Sequence, residues 1–479
     1  MRCRHLLPLA MLALLTSALH AQTTFATTTY PTGNGSRTPV TGDFNGDGKP
    51  DFATPVANSG EVQIYLNSGS GAFAFKSSVS VGTALQVSTA DINKDGKLDL
   101  VIATGDGGAT VQTFLGAGDG TFVPGESIAL SKGSADLELL DLNNDHVADF
   151  VIHDCDFAQP TAICDLVPFM NDGAGHFTAK PALIANSTTT ASFGFRTIAV
   201  GDFNADGKND VAFIRYGPSE SGGRGFNVFF GHGDGTFGPP SFYATPLPVS
   251  IAAGSFSHDA YVDLDVATVA PCFGPPCQYY AAVYLNDHTG HFGLRSRTLI
   301  YGTAHSVTDV NGDGIEDIMG TSEGQEGGQY ILGHGDGTFG GGQNVGCCET
   351  SLAVPRDVNL DGRHDLLQGK GSDGVSAVIR NNNAAVICTP PGSASLAAKI
   401  CSPGSNGTVA KTFTVKGSGN APAGVQRLEL WVDGHKKAQA LDDQLKASVM
   451  VAAGTHKVTV VAVSQFGSTA NKSIFVHAQ

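Results

Sequence analysis

Tryptophan occurs once, at Trp431, and methionine five times in a chain of 479 residues. Strong helix formers are thinly spread, so long helices are not expected. Basic residues are scarce too: 28 Lys and Arg stand against 44 Asp and Glu, a formal charge of −16. That balance argues against nucleic acid or an anionic membrane surface as the main partner. Beyond the first two dozen residues, no run is long and apolar enough to span a bilayer. The chain also lacks Gly-x-Ser-x-Gly, a zincin helix motif and a phosphate loop. Glycine is abundant instead, with 62 residues, roughly twice the usual share. Apolar residues make up 41% and fall in many short runs. Together these features predict an all-β chain with many tight turns and enough apolar material for a packed core.

The N-terminus reads as an address. Arg2 and Arg4 precede LLPLAMLALL, and the run ends in ALHA before Gln22. A basic start, a short apolar core and a small-residue end predict a secretory signal over 1–21, cleaved after Ala21. Cys3 leaves with it. The remaining eight cysteines are an even number in an exported chain, which reads as disulfides. The expected pairs are local: Cys155 with Cys164, Cys272 with Cys277, and Cys388 with Cys401. Cys347 and Cys348 are left over, either as a vicinal bond or with separate partners. Zinc is disfavoured because these couples lack Cys or His partners at finger spacing.

A repeat organises the rest. DFNGDGKPD begins at Asp43 and returns as DINKDGKLD at Asp91, DLNNDHVAD at Asp141, DFNADGKND at Asp202, DVNGDGIED at Asp309 and DVNLDGRHD at Asp357. A degraded copy, SFSHDAYVD, begins at Ser255. Successive starts lie 48, 50, 61, 53, 54 and 48 residues apart. An apolar run follows each copy. Six copies carry a second signature, a glycine turn ending in Phe: LNSGSGAF, LGAGDGTF, MNDGAGHF, FGHGDGTF, LNDHTGHF and LGHGDGTF. About four short strands per period, seven times over, predict a seven-bladed β-propeller over 22–385. The seventh copy lacks the glycine turn. The segment Thr23–Tyr30 has the character of the missing strand, so it is expected to complete the last blade and close the ring. Residues 386–479 contain no Asp loop. Their alternating strands, with Asp433-Gly434 as a hairpin turn, predict a small β-sandwich with Trp431 in its core.

Each Asp loop places oxygen donors at odd positions around a tight turn. Positions 1, 3, 5 and 9 are Asp43, Asn45, Asp47 and Asp51; Asp91, Asn93, Asp95 and Asp99; Asp141, Asn143, Asp145 and Asp149; Asp202, Asn204, Asp206 and Asp210; Asp309, Asn311, Asp313 and Asp317; and Asp357, Asn359, Asp361 and Asp365. Position 7 offers a backbone carbonyl from Lys49, Lys97, Val147, Lys208, Ile315 or Arg363. Oxygen-only donors in a flexible loop suit calcium, and five to six sites are expected. Position 12 is not the Glu of an EF-hand, so the frame is strand–loop–strand. His146 replaces the position-6 Gly in the third loop and should strain it. Ser255 and Ser257 replace the first two donors of the fifth, which should be empty or weak.

These loops and glycine turns closely resemble FG-GAP (VCBS-type) repeats, known from integrin α propellers and exported bacterial proteins. The resemblance covers about residues 23–385. The tail resembles a bacterial immunoglobulin-like domain. Such a resemblance implies a calcium-bound propeller used in adhesion or recognition, with lectins and a few lyases among similar propellers. The expected protein is secreted or held at the cell surface, with the periplasm as the alternative, monomeric, and bound to a protein or glycan ligand. A polysaccharide-acting enzyme and an envelope scaffold are the alternatives. His176, His232, His291 and His334 all sit in glycine turns and read as turn residues, while His153, His258 and His305 are scattered. No catalytic constellation stands out. Insertions gather where the first post-loop strand ends, opposite the Asp loops: 153–165, 215–225 and 270–280. They bring Phe157, Arg215, Tyr216, Arg224, Phe273 and Tyr279, residue types suited to a binding surface.

Overall fold

The computed structural model describes residues 25–105, 109–133, 136–156, 162–189, 196–216, 223–270, 277–321, 328–345, 352–370, 375–381, 387–391 and 395–479. The expected signal over 1–21, Phe157, Cys272, Phe273, Cys347 and Cys348 fall outside them. All regular elements among the described residues are strands. No helix is long and apolar enough to cross a membrane.

Blade 1 shows how a repeat folds. Val40–Gly42 leads into the Asp loop, and Asp51–Val56, Glu61–Asn67 and Phe73–Ser80 follow as an antiparallel meander. The second strand, DFATPV, is buried throughout, because neighbouring blades cover both of its faces. The outer strand is mostly exposed and buries only Phe73 and Val79, as an edge facing solvent does. Among the described residues six further antiparallel sheets repeat the plan, and that of blade 3 carries an extra strand, Ile184–Thr189. The first strands of consecutive sheets touch in order, and that of the seventh, Val354–Arg356, touches Val40–Gly42. The sheets therefore close into a ring, a β-propeller.

Ring closure uses both ends of the repeat region. Phe25–Pro31 pairs antiparallel with Val375–Asn381, the third strand of blade 7. Tyr30 then lies among Phe52, Tyr65 and Phe73 of blade 1, with ring centroids 5.7 to 6.3 Å away. Between the blades run apolar cores. That of blades 1 and 2 holds Phe44, Ile64, Leu100 and Phe114, and that of blades 4 and 5 holds Phe203, Phe226, Leu264 and Phe292. The Phe ending a glycine turn packs into these seams, as Phe73, Phe177 and Phe292 do.

Residues 397–478 form two sheets around Val415, Leu428, Leu430, Val458, Val460 and Val476. Asp433-Gly434 is the expected hairpin turn, with both residues at positive φ. Trp431 departs from expectation. Its neighbours Leu430 and Val432 point inward, so the two-residue period turns Trp431 outward, where its Nε1 donates to Glu429 Oε2 at 2.9 Å. Disulfides join Cys155 to Cys164 and Cys388 to Cys401. Cys277 is also disulfide-bonded.

Candidate metal centre

The Asp loop is built by its own side chains. Asp43 Oδ1 accepts the Asp47 N–H at 3.0 Å, and its Oδ2 accepts that of Gly48 at 2.7 Å. Asn45 Oδ1 also accepts from Asp47 N, and Asp47 Oδ1 accepts from Lys49 N. Loops 2, 4 and 7 repeat the scheme through Asp91, Asp202 and Asp357. Loops 3 and 6 repeat it through Asp141 and Asp309. The side-chain oxygens at positions 1, 3 and 5 are thus gathered on one turn.

Position 6 is left-handed throughout, with φ from 63° to 88° in these six loops. A Cβ at Gly96 or Gly207 would meet nothing within 4 Å, so the requirement there is backbone angle, not space. His146 takes the same conformation at φ 63°, as its substitution for Gly predicts. Its Nδ1 lies 3.1 Å from the Phe466 carbonyl of the C-terminal domain.

Position 9 is fully buried in all seven loops. Asp51 Oδ2 accepts Phe44 N at 2.9 Å, and its Oδ1 accepts Asn67 N, in the glycine turn, at 2.7 Å. The degraded fifth loop keeps it with a one-residue shift: Asp263 accepts from Ser257 N, at position 3, and from Asn286 N. Its other donors have moved to different work. His288 Nε2 lies 3.1 Å from Asp259 Oδ2, and Glu316 accepts the Ser255 N–H.

Burial, reinforced by the neighbouring loop carboxylates, pushes Asp51, Asp149 and Asp210 up to about 7 and Asp99 to about 6. Three carboxylates crowded in this way, with a carboxamide and no nitrogen or sulfur donor, fit a hard divalent cation. Lys49 Nζ lies 3.0 Å from Asp47 Oδ2, and Arg363 NH1 2.9 Å from Asp361 Oδ2, so position 7 offsets part of the charge.

The glycine turns carry a further regularity. Their second residue alternates Asn and Gly along the chain: Asn67, Gly116, Asn171, Gly231, Asn286, Gly333. Each Asn Nδ2 reaches the preceding blade's loop, from Asn67 to Val358 O at 2.7 Å, Asn171 to Ile92 O at 2.9 Å and Asn286 to Phe203 O at 2.6 Å. In the alternate blades a glycine N–H does the same, from Gly120 to Phe44 O, Gly235 to Leu142 O and Gly337 to Phe256 O. The acceptor is always the carbonyl at loop position 2. The Asn–Gly alternation was the available signal.

Three of the four turn histidines have partners in their own turns, while His176 lies 3.9 Å from Glu126 of blade 2. His232 and His334 lie 3.0 Å from Thr236 and Thr338 in their own turns. His153 is buried against Phe213 and Thr197, and burial pulls it down to about 3. His305 Nδ1 lies 2.6 Å from Asp265 Oδ2 in a buried pair between blades 5 and 6.

At the strand ends remote from the loops, Arg215 pairs with Gly225, Tyr216 with Arg224, and Tyr279 with Val269. Arg215 lies 5.5 Å from the exposed Phe242 ring, and Arg297 4.2 Å from that of Tyr280. Tyr279 meets Tyr301 edge-on at 6.4 Å. A cleft lined by Gly223, Arg224, Ala244, Thr245 and Pro246 opens beside them.

The ring of four-stranded sheets defines a β-propeller carrying a C-terminal sandwich. Sequence comparison gives the repeat type. Residues 35–67 match the FG-GAP repeat, 56–102 and 91–152 the FG-GAP-like repeat, and 397–460 the bacterial Ig domain. The chain therefore carries FG-GAP repeats followed by a bacterial Ig domain. No curated protein sequence matches it. Among solved structures it is similar to the WD40 domain of Toxoplasma gondii coronin, at 12% identity and TM-score 0.42, over 76% of this chain and 89% of that one. An α-L-arabinofuranosidase from Fusarium graminearum matches at 9% identity and TM-score 0.42, over 62% and 93%. A match to an endo-β-1,4-mannanase from Thermotoga petrophila, at 15% identity and TM-score 0.16, spans 18% of this chain and only 20% of that protein. At these scores the likenesses bear on neither ligand nor reaction.

Proposed function

We propose that this is an exported calcium-binding propeller that recognises a protein or glycan ligand in adhesion. The carrying observation is the oxygen-only donor set, repeated in six loops with the same internal hydrogen bonds. Asp43, Asn45, Asp47 and Asp51, and their counterparts in loops 2, 3, 4, 6 and 7, hold the ion, which supplies charge neutralisation to the crowded carboxylates. The position-7 carbonyl completes the set. Domain boundaries near 22 and 386, the signal over 1–21 and the monomeric state belong to the same reading.

Recognition is assigned to the face opposite the loops. Its support is three ring contacts on neighbouring blades, Arg215 with Phe242, Arg297 with Tyr280 and Tyr279 with Tyr301, together with an open cleft at Arg224. Aromatic and Arg side chains give large contact areas at low entropic cost. Arg224, whose backbone pairs with Tyr216, belongs to the same strand ends. A glycan and protein array run with calcium and with chelator tests the reading. Binding that is lost in the triple substitution Arg215→Ala, Tyr216→Ala and Tyr279→Ala, with folding intact, supports it. Binding that survives this variant but is lost on substituting exposed loop-face residues, again with folding intact, refutes the choice of face.

A further inference from the structure

The C-terminal domain meets the propeller on its Asp-loop face. Asp43 N donates to Pro422 O at loop 1, His146 meets Phe466 O at loop 3, and Gln439 N donates to Asp259 O at loop 5. At loops 6 and 7 charged side chains make the contact. Glu316 Oε1 accepts Leu441 N at 2.8 Å. Next to it, His364 of loop 7 meets two carboxylates from the turn at 441–443. Its Nε2 lies 3.0 Å from Asp442 Oδ1 and 2.8 Å from Asp443 Oδ1, and its Nδ1 lies 2.7 Å from Thr308 Oγ1. His364, Thr308 and Asp443 are buried, and the Asp442 side chain is 11% exposed.

Hydrogen bonding alone serves this cluster poorly. With Nδ1 turned to Thr308, at most one ring N–H is left for two carboxylate oxygens. Asp442 Oδ2 is buried with no hydrogen-bond partner. Arg356 NH1 stands 3.6 Å from Asp443 Oδ2, beyond hydrogen-bond reach. Asp309 and Asp357, which open loops 6 and 7, stand close enough to feel the charges of Asp442 and Asp443. By contrast, His288, His305 and His456 each meet a single carboxylate. The grouping of His153 with Cys155 and Cys164 offers no comparable set, because the two sulfurs are bonded to each other.

The spacing suits ligands of one ion. Metal–ligand bonds of about 2.1 Å place ligand atoms at right angles about 3.0 Å apart. Thr308 holds the second ring nitrogen, as the hydrogen-bonding neighbour of a metal-bound histidine does. One imidazole nitrogen with two carboxylate oxygens is a borderline donor set. It suits zinc, manganese or cobalt better than the oxygen-only Asp loops do.

We infer that His364, Asp442 and Asp443 form a second kind of metal site, for a borderline divalent cation. The histidine belongs to the propeller and both aspartates to the immunoglobulin-like domain, so the ion bridges the two domains. Three protein ligands leave positions for water. A small cavity lined by Asp309, Gly362, His364 and Gln444 adjoins the cluster.

Zinc binding to the full-length chain, in saturating calcium, tests this by calorimetry, metal analysis and X-ray absorption at the zinc edge. One zinc per chain is expected, with one imidazole nitrogen and otherwise oxygen in its shell. His364→Gln and Asp442→Asn should each weaken binding by about tenfold or more, the scale on which even the hydrogen-bonding neighbours of a metal ligand act. His456→Gln should leave it unchanged. Zinc should also slow hydrogen exchange over 441–446 in the unaltered chain but not in His364→Gln. No bound zinc, or zinc held equally well by His364→Gln, overturns the inference. Should the variants fail to fold, the absorption spectrum of the unaltered chain decides. A shell with no imidazole, with several, or with sulfur overturns it. The same metal analysis reads calcium separately, so a failure of the Asp loops to bind it is told apart from a failure of this site.

Discussion

Asp51 and Asn67 are bonded main chain to side chain at 2.7 Å, and this contact joins the two signatures of the repeat. Asp51 closes the Asp loop; Asn67 opens the glycine turn and passes its own side-chain amide to Pro50 O and Val358 O. Loop, turn and neighbouring blade are therefore one hydrogen-bonded unit. A period of about 50 residues repeats because the unit must be rebuilt at every seam.

Position 9 should be structural even where no ion is bound. Asp263→Ala in the degraded loop leaves the half-buried Ser257 N–H and the buried Asn286 N–H without their acceptor. A loss of roughly 2–4 kcal/mol is expected. Chemical denaturation measures it, and calcium stoichiometry measured in parallel should not change.

Asn171→Ala removes donors to Ile92 O and Ala148 O in the seam between blades 2 and 3. The expected cost is about 1–3 kcal/mol. The same substitution at an exposed turn residue such as Asp172 should cost far less. Thermal unfolding of the two variants side by side gives the comparison.

Tyr30→Ala should loosen ring closure. It removes the aromatic contacts by which the N-terminal strand meets blade 1. About 2 kcal/mol is expected from the lost packing. Limited proteolysis should then cut first near residues 25–31.

His153 supplies a pH test away from the loops. Burial holds it near 3, against the ordinary 6.5. The unfolded chain takes up a proton below about 6.5 and the folded chain does not, so this histidine's contribution is present at pH 7 and is lost as pH falls toward 3. His153→Gln should therefore flatten the acid limb of stability between pH 6.5 and 4. Equal slopes for the two proteins in urea titrations would contradict the assignment.

Much of this was legible in the sequence. The Asp loops and glycine turns recur at one spacing, and hydrogen bonding needs the same residues at each recurrence, so blades and closing strand could be read directly. The placement of Trp431 was not, because an aromatic in an alternating strand belongs to either face until its neighbours are known to fill the core. The docking of the C-terminal domain was also hidden. Its cue, Glu316 and His364 at a position otherwise mostly apolar, acquires meaning only when Asp442 and Asp443 are brought beside them by the fold.

Calcium binding is the central claim, and the direct measurement is metal content with thermal unfolding of the full-length chain, before and after exhaustive chelation. Each ion at 100 times its dissociation constant adds about 2.7 kcal/mol. The account predicts five to six calcium ions per chain and a marked fall in melting temperature on chelation, restored by added calcium. A chain that binds no calcium and melts at the same temperature in chelator would contradict it.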